Sequence, residues 1–213
     1  MISLSSCSAW AGPDDGSDVA VTLGVTSDYR FRGISLSERR PALQGGVEAE
    51  HGGWFVGSWA STISEDGRSS VEVDVYGGQR GVSGAFSYSA GIYAYSQPGE
   101  PGSRYVELQA RAGRDLGLAT LEVEAAYAPA RTATPGNIYA GININAPIDR
   151  SGLSVLAHGG LEQGLFDRKL DWELGAEWTR GSLKLRGSVV GAEERRRRLR
   201  DGTRVVLSLA GEW

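Results

Sequence analysis

Apolar and polar residues alternate along most of this chain, in segments of about ten residues that are separated by turn residues. In the last segment Leu207, Leu209 and Trp213 occupy one face of a strand, and Ser208 and Glu212 occupy the other. Successive side chains of a strand point to opposite faces, and a tilted strand of about ten residues crosses a bilayer. The pattern therefore predicts membrane-spanning strands with one lipid-facing side.

The alternation predicts about twelve such strands. Their spans are 18–27, 41–50, 53–64, 70–80, 84–95, 104–114, 118–128, 136–146, 152–163, 171–180, 182–192 and 203–213. Short turns are predicted at 51–52, 81–83, 115–117, 149–151 and 181, and longer connections at 28–40, 65–69, 96–103, 129–135, 164–170 and 193–202. Short turns on one rim and long loops on the other are typical of bacterial outer-membrane barrels, and an even strand number predicts both termini on the periplasmic rim.

These strands predict one all-β domain over residues 18–213, a single antiparallel up-and-down transmembrane β-barrel of about twelve strands. Closure is required because an open edge in hydrocarbon leaves backbone groups without partners. A soluble β-sandwich also has alternating strands. However, the length of these strands, the Trp and Tyr residues near their ends and the charges that recur on their inner faces favour the barrel. The composition agrees, with 31 Gly, 8 Tyr and 6 Trp in 213 residues.

Residues 1–17 are predicted to form a residual export leader or a disordered segment. Ala9, Trp10 and Ala11 make a cleavage-like step, although the segment lacks the charged and apolar regions of a signal peptide. Leu4–Cys7 matches the box that precedes the lipidated cysteine of bacterial lipoproteins, so lipidation of Cys7 and an unstructured leader are both open. A single cysteine in the sequence leaves no internal disulfide.

Four motifs follow one another in the first part of the chain. They are SDYRFRGIS (27–35), PALQGG (41–46), WFVGSWAS (54–61) and VEVDVYGG (71–78). In this order they resemble the amino-terminal signature of the TorF family of proteobacterial porins, while the later strands agree in layout and in the terminal aromatic residue. The resemblance implies an outer-membrane barrel of pore type and names no solute. The arginine-rich segment near the end departs from the family pattern.

Alternation also predicts which charged side chains point inward. A barrel of about twelve strands lies between the filled eight-stranded and the open sixteen-stranded barrels, so its lumen should be narrow and its lining charges should govern selectivity. Opposed acidic and basic arcs would place a transverse field across a constriction, whereas charges that pair across the interior would plug it. An excess of carboxylates favours cations. The predicted lumen residues are Glu48, Glu50, Glu72, Asp74, Glu107, Glu122, Glu124, Glu162, Glu173 and Glu177, with Arg111, Lys184, Arg186 and Arg204.

The first long loop contains Tyr29, Arg30, Phe31 and Arg32, which are candidates for a constriction folded into the lumen. If the strand continues through them, Arg30 and Arg32 face inner carboxylates, while Tyr29 and Phe31 meet the membrane interface. The alternative is a loop anchor that takes no part in transport.

The last long loop contains a cluster of arginines at positions 195–198 and 200, beside acidic neighbours. Arg195, Arg196, Arg197, Arg198 and Arg200 are candidates for bidentate binding of lipopolysaccharide phosphates or of an acidic solute. Alternatively, the run is a solvated loop paired with its own carboxylates. A nucleic-acid partner is not expected beside a barrel pattern and a net charge of −4.

Catalysis, cofactors and metal sites have little support. His51 lies in a predicted turn, and His158 lies roughly 13 Å from Ser154 along one strand face, which is too far for proton transfer. Two separated histidines without a cysteine pair do not make a zinc site.

The sequence therefore predicts a porin-like channel of the bacterial outer membrane for passive diffusion of small polar or charged solutes. The alternative is a closed structural or surface-binding barrel whose loops recognise lipopolysaccharide or another ligand. Expected partners are outer-membrane lipid, lipopolysaccharide, small solutes and the barrel assembly machinery, for which Trp213 is the candidate insertion signal.

Overall fold

The strands of the computed structural model form a meander in which each barrel strand pairs antiparallel with the next. The structure describes residues 18–65, 68–131, 134–194 and 202–213, so the predicted leader and arginine cluster lie outside the described residues. The strands are β1 (Asp18–Thr26), β2 (Arg30–Phe31), β3 (Ile34–Ser35), β4 (Ala42–His51), β5 (Trp54–Glu65), β6 (Arg68–Ser83), β7 (Phe86–Ser96), β8 (Tyr105–Asp115), β9 (Thr120–Ala128), β10 (Asn137–Pro147), β11 (Leu153–Gln163), β12 (Lys169–Arg180), β13 (Leu183–Glu194) and β14 (Arg204–Glu212).

The first and last strands close the sheet into a barrel. β1 pairs with β4 on one side and with β14 on the other, so β1 and β4–β14 form one closed antiparallel ring. The backbone of Trp213 extends this seam, since its N–H donates to the Val21 carbonyl at 2.9 Å and its carbonyl accepts from Val21 at 2.7 Å. Because the sheet is closed, no strand edge with unpaired backbone groups is exposed to hydrocarbon. The predicted barrel is confirmed, and the β-sandwich is excluded.

The outer surface of this barrel is apolar. Each barrel strand exposes large apolar side chains, and an apolar belt of this kind is stable in a bilayer rather than in water. Trp54 and Trp213, each 66% exposed, lie at the same end of the barrel, as aromatic residues of a membrane interface do. Other exposed members of the belt are Val19, Leu23, Leu43, Val47, Val56, Val75, Ile92, Leu108, Ile138, Leu174, Val205 and Leu207.

The two ends of the barrel differ. The connections 52–53, 84–85, 116–119, 148–152 and 181–182 form the turn rim, which also carries the start of β1 and the end of β14. The opposite loop rim carries the described connections 27–41, 97–104 and 164–168. Among the described residues no helix is long and apolar enough to cross a membrane.

Two predicted boundaries are wrong. β6 continues to Ser83, which still pairs with Phe86 of β7, and the turn comes at Gly84, whose φ is +61°. The longer connection predicted at 65–69 is only 66–67, because β5 and β6 both extend toward the loop rim. The short hairpin β2–β3 inside the first loop was not predicted.

The interior divides into two halves. Beside β5–β8 lies an aromatic half, in which the rings of Tyr76 and Tyr93 stack at 5.2 Å and those of Tyr95 and Tyr105 at 4.5 Å. Gly57 leaves room for this stack, since a Cβ at this position would lie 2.6 Å from the end of the Tyr76 ring. The remaining interior, beside β9–β14 and β1, is an open half that contains a cavity. Side chains therefore fill one side of the barrel and leave the other side to solvent.

Candidate functional site: a hairpin constriction above a charged cavity

The hairpin β2–β3 folds into the barrel at the loop rim, and its two-residue turn is Arg32-Gly33. Both residues have positive φ, +47° at Arg32 and +80° at Gly33, as the tight turns of two-residue hairpins require. Gly33 has no alternative, because a Cβ there would lie 2.6 Å from the Cβ of Ala192 on β13. For Arg32 this conformation costs about 1 kcal/mol or more, so the surrounding contacts must maintain it.

Hydrogen bonds inside the loop hold the hairpin together. Arg30 Nε donates to Asp28 Oδ2 at 2.6 Å, and Arg30 Nη1 donates to the Gly33 carbonyl at 2.8 Å. The other oxygen of Asp28 accepts from Ser35 Oγ at 2.6 Å, and the Tyr29 N–H donates to Ser37 Oγ at 2.9 Å. Arg30 and Asp28 are both buried. The loop is therefore an ordered unit with its own buried ion pair.

Tyr29 anchors the hairpin to the aromatic half of the interior. Its ring lies 5.3 Å from the Trp59 ring, and its hydroxyl donates to Glu72 Oε1 at 2.6 Å. Burial, followed by the Glu72 carboxylate, raises the pKa of Tyr29 well above its ordinary value. The predicted place of Tyr29 and Phe31 at the membrane interface is wrong, since Tyr29 is 1% exposed and Phe31 packs 5.9 Å from the Tyr95 ring. The chain turns into the barrel after β1 and does not continue its alternation.

Arg32 reaches the opposite wall. Its guanidinium donates to both oxygens of Glu107 at 2.9 and 2.8 Å, donates to Glu162 at 3.3 Å, and lies 4.1 Å from the centre of the Tyr139 ring. Lys169 Nζ donates to the Arg32 carbonyl at 2.9 Å and pairs with Glu162. Burial alone would lower the pKa of Arg32, but Glu107 and Glu162 raise it above its ordinary value. We call Arg32, Glu107, Glu162 and Lys169 the Arg32 latch.

Through these contacts the hairpin crosses the interior. Tyr29 contacts β5 and β6, Arg32 contacts β8 and β11, and Gly33 approaches β13. The crossing narrows the barrel at the loop rim. Bidentate and charge-assisted bonds of this kind are the strong ones among protein hydrogen bonds, so the latch fixes the position of the hairpin.

A cavity of about 670 Å³ extends from the hairpin to the turn rim. Its volume is in the range of small-molecule sites. Its walls come from β1 and β8–β14 together with the underside of the hairpin. Its charged or titratable lining residues are Asp28, Arg30, Arg32, Arg111, Glu122, Glu124, Asp149, His158, Asp171, Glu173, Glu177, Lys184, Arg186 and Glu212.

The predicted lumen residues fall into four places. Arg111, Glu122, Glu124, Glu173, Glu177, Lys184 and Arg186 line the cavity. Glu72, Asp74, Glu107 and Glu162 are buried at the level of the hairpin, and Glu48 and Glu50 pair with Arg80 outside the cavity, at the turn-rim end of the aromatic half. Arg204 is exposed at the loop-rim end of β14 and does not line the cavity.

The predicted opposed arcs of charge are wrong. Arg186 Nη2 lies 2.7 Å from Glu173, and Lys184 Nζ lies 2.8 Å from Glu212. Arg111 lies 3.4 Å from Glu124 on the neighbouring strand. The antiparallel register places each cation beside a carboxylate of the next strand. The charges pair along the wall, which leaves the cavity between the walls unfilled.

His158 lies at the centre of the open half. Its Nδ1 lies 2.7 Å from Asn143 Oδ1, and its Nε2 lies 2.9 Å from both Asp171 Oδ1 and the Tyr139 hydroxyl. Asn143 Nδ2 donates to Glu124 at 3.3 Å, which turns the amide oxygen toward the imidazole. The hydrogen-bond partners of the ring in the described chain are therefore an amide, a carboxylate and a phenol.

Sequence reasoning missed several charged interior residues, among them Arg80, Lys169 and Asp171. Arg80 and Asp171 share the alternation of Glu72 and Glu173, so that signal was present. Lys169 lies just outside the predicted strand 171–180. Its role depends on the hairpin position, which alternation does not predict.

The model of a bacterial family of unknown function, Gcw_chp, matches residues 10–209. No functionally curated protein matches the sequence. A solved KdgM porin in complex with disordered oligogalacturonate has a TM-score of 0.62 at 9% identity, over 90% of this chain and 98% of that chain. The COG4313 outer membrane channel from Pseudomonas putida F1 has a TM-score of 0.53 at 13% identity, over 95% and 97%. At these identities the likeness is one of fold, that of bacterial outer-membrane barrels.

Proposed function

This chain belongs to the Gcw_chp family of bacterial proteins of unknown function, and we propose that it is a porin-like channel of the outer membrane. The observation that carries the proposal is the charged cavity inside a closed barrel whose outer surface is apolar. Solutes of small size and polar character would diffuse passively through the open half. The pathway requires no chemical step and no cofactor.

The likeness in fold to a porin and to an outer membrane channel supports this proposal, as does the resemblance of the first 80 residues to the TorF porins. By the usual arrangement of bacterial barrels, the turn rim and both termini face the periplasm and the loop rim faces outward. Trp213 would then serve as the carboxy-terminal signal for the barrel assembly machinery.

The hairpin is the constriction in this account. A solute that enters from the loop rim must pass the hairpin, which reaches from β5 and β6 to β8, β11 and β13, before it enters the cavity. The Arg32 latch holds the hairpin against β8 and β11, so it sets the width of this passage. Charged pairs along the wall below offer alternating sites to a polar solute.

Uptake of solutes by proteoliposomes tests the proposal. Liposomes that contain the refolded wild-type barrel should swell in small sugars and amino acids, and swelling should decline steeply as the solute becomes larger. Arg32→Ala should raise the size limit, because it releases the hairpin. Arg204→Ala, which changes an arginine outside the cavity, should not. Wild-type liposomes that swell no faster than empty ones, with a barrel shown to be folded by heat-modifiable mobility, would exclude the channel.

One observation favours a second candidate. The hairpin contacts strands on both sides of the interior, and a barrel closed in this way would act as a structural or surface-binding protein. The arginines at 195–198 and 200 of the sequence would then bind lipopolysaccharide phosphates. Absence of swelling together with binding of lipopolysaccharide that is lost on replacing those arginines by alanine would support this candidate.

A further inference from the structure

Glu177 differs from most carboxylates of the cavity wall. In the described residues Asp28, Glu122, Glu124, Asp171, Glu173 and Glu212 each have a side-chain nitrogen of Arg, Lys or His within 4 Å, with Arg111 shared by Glu122 and Glu124. Asp149 lies at the exposed turn rim and accepts from the Ser151 N–H at 2.7 Å. The Glu177 carboxylate lines the same cavity, and within the described chain it has neither an ion pair nor a side-chain hydrogen bond. It is half-buried, on the stretch of β12 next to the turn rim.

The strand register explains this isolation. Glu177 lies directly opposite Arg186 on β13, so the two would be expected to pair. Arg186 instead directs its guanidinium to Glu173, with Nη2 at 2.7 Å and Nε at 3.0 Å. Two donors of one arginine are thus engaged by a single carboxylate oxygen. The Glu177 carboxylate therefore lines the cavity without a basic partner within 4 Å in the described residues.

An unneutralised charge in a narrow, low-dielectric passage attracts ions of the opposite sign and repels those of the same sign. The one-to-one pairs Arg186–Glu173 and Lys184–Glu212 act as local dipoles whose fields largely cancel over distance, and Glu177 has no such partner. We propose that Glu177 is the residue that makes the channel prefer small cations. The inference rests on the proposed channel and adds to it the sign of the permeant ion and the group responsible.

Reversal potentials in a potassium chloride gradient test the preference. The wild type should show a potential of the sign that cation permeation gives, and Glu177→Gln should lower the permeability ratio of potassium to chloride severalfold. Glu48→Gln is the matched control, because Glu48 pairs with Arg80 outside the cavity. The permeability ratio of potassium to chloride in Glu48→Gln should equal that of the wild type. Equal ratios for Glu177→Gln and the wild type would overturn the proposal.

A second readout does not require conduction. Ser154 lines the cavity opposite Glu177 on β11, so Ser154→Cys in a Cys7→Ser background places a thiol beside the carboxylate. A cationic methanethiosulfonate reagent should modify this thiol faster than an anionic one, and Glu177→Gln should bring the two rates together. Glu48→Gln should leave the rate ratio unchanged.

Together, the reversal potentials and the thiol modification rates distinguish a failure of the proposed channel from a failure of the role proposed for Glu177. A silent barrel whose thiol still shows a ratio dependent on Glu177 would exclude the channel but keep Glu177 as the cation-attracting group of the cavity. If Glu177→Gln leaves the ratio of the two modification rates unchanged, or if neither reagent modifies the thiol, the inference is overturned whatever the conductance.

Discussion

At the scale of single residues, Arg32 combines an unfavourable backbone with favourable side-chain contacts. Its φ of +47° is a conformation that glycine adopts without cost. Its guanidinium nevertheless binds two buried carboxylates and stacks on Tyr139. A residue that keeps such strain is held there by its surroundings, and strain of this kind clusters at functional sites.

Two substitutions at this position separate strain from contact. Arg32→Ala removes the latch and keeps the strain, whereas Arg32→Gly removes both. The glycine variant should therefore be more stable than the alanine variant by about 1 kcal/mol. The wild type should have a larger unfolding free energy than either variant. Equilibrium urea unfolding of the refolded barrel in detergent micelles measures the order. An alanine variant as stable as the glycine variant would show that the backbone at Arg32 is not strained.

Tyr29 makes a second prediction at this scale. Tyr29→Phe leaves the buried Glu72 without its donor and should cost about 1–3 kcal/mol. The folded-state pKa of Tyr29 lies above the unfolded value of 10.0, so the stabilisation is present below that pH and is lost only as the pH rises through the folded-state pKa. Phenolate absorbance of the wild type minus that of Tyr29→Phe should thus show no step near pH 10. The outward-facing Tyr88 is the control, since Tyr88→Phe should leave the unfolding free energy unchanged.

At the scale of elements, the strands and the hairpin differ in how far the sequence predicts them. Alternation within a strand is a local signal. It predicts the inward and outward faces because the residues of one face stand at every second position of the same short segment. The hairpin depends on Glu107, Glu162 and Lys169, which lie far from Arg32 along the chain. Local residue preferences do not encode such partners, and an arginine at positive φ gives no signal of a turn.

Trypsin measures whether the hairpin is held. In the wild type, cleavage after the exposed Arg39 should precede any cleavage after the buried Arg32. Lys169→Met removes the donor to the Arg32 carbonyl and should expose Arg32 to the protease, because the turn then loses one of its anchors. Mass spectrometry of the fragments identifies the site. Cleavage after Arg32 in the wild type at the rate seen at Arg39 would contradict an ordered hairpin.

At the scale of the whole molecule, closure and the apolar exterior were predictable, and the division of the interior was not. The twelve-strand ring follows from strand number and alternation. The aromatic half depends on where Tyr76 and Tyr93 stack across strands, and the charge pairs depend on register. A one-residue change of register would move each side chain to the other face. The sequence therefore predicts which charged side chains point inward, but it does not predict with which residue each of them pairs.

Single-channel recording in planar bilayers tests most directly whether this barrel conducts through its open half. The purified wild type should give discrete current steps, and Arg32→Ala should give larger steps because the hairpin no longer narrows the loop rim. Folded wild-type barrel that inserts into the bilayer and carries no current, with Arg32→Ala equally silent, would contradict the account.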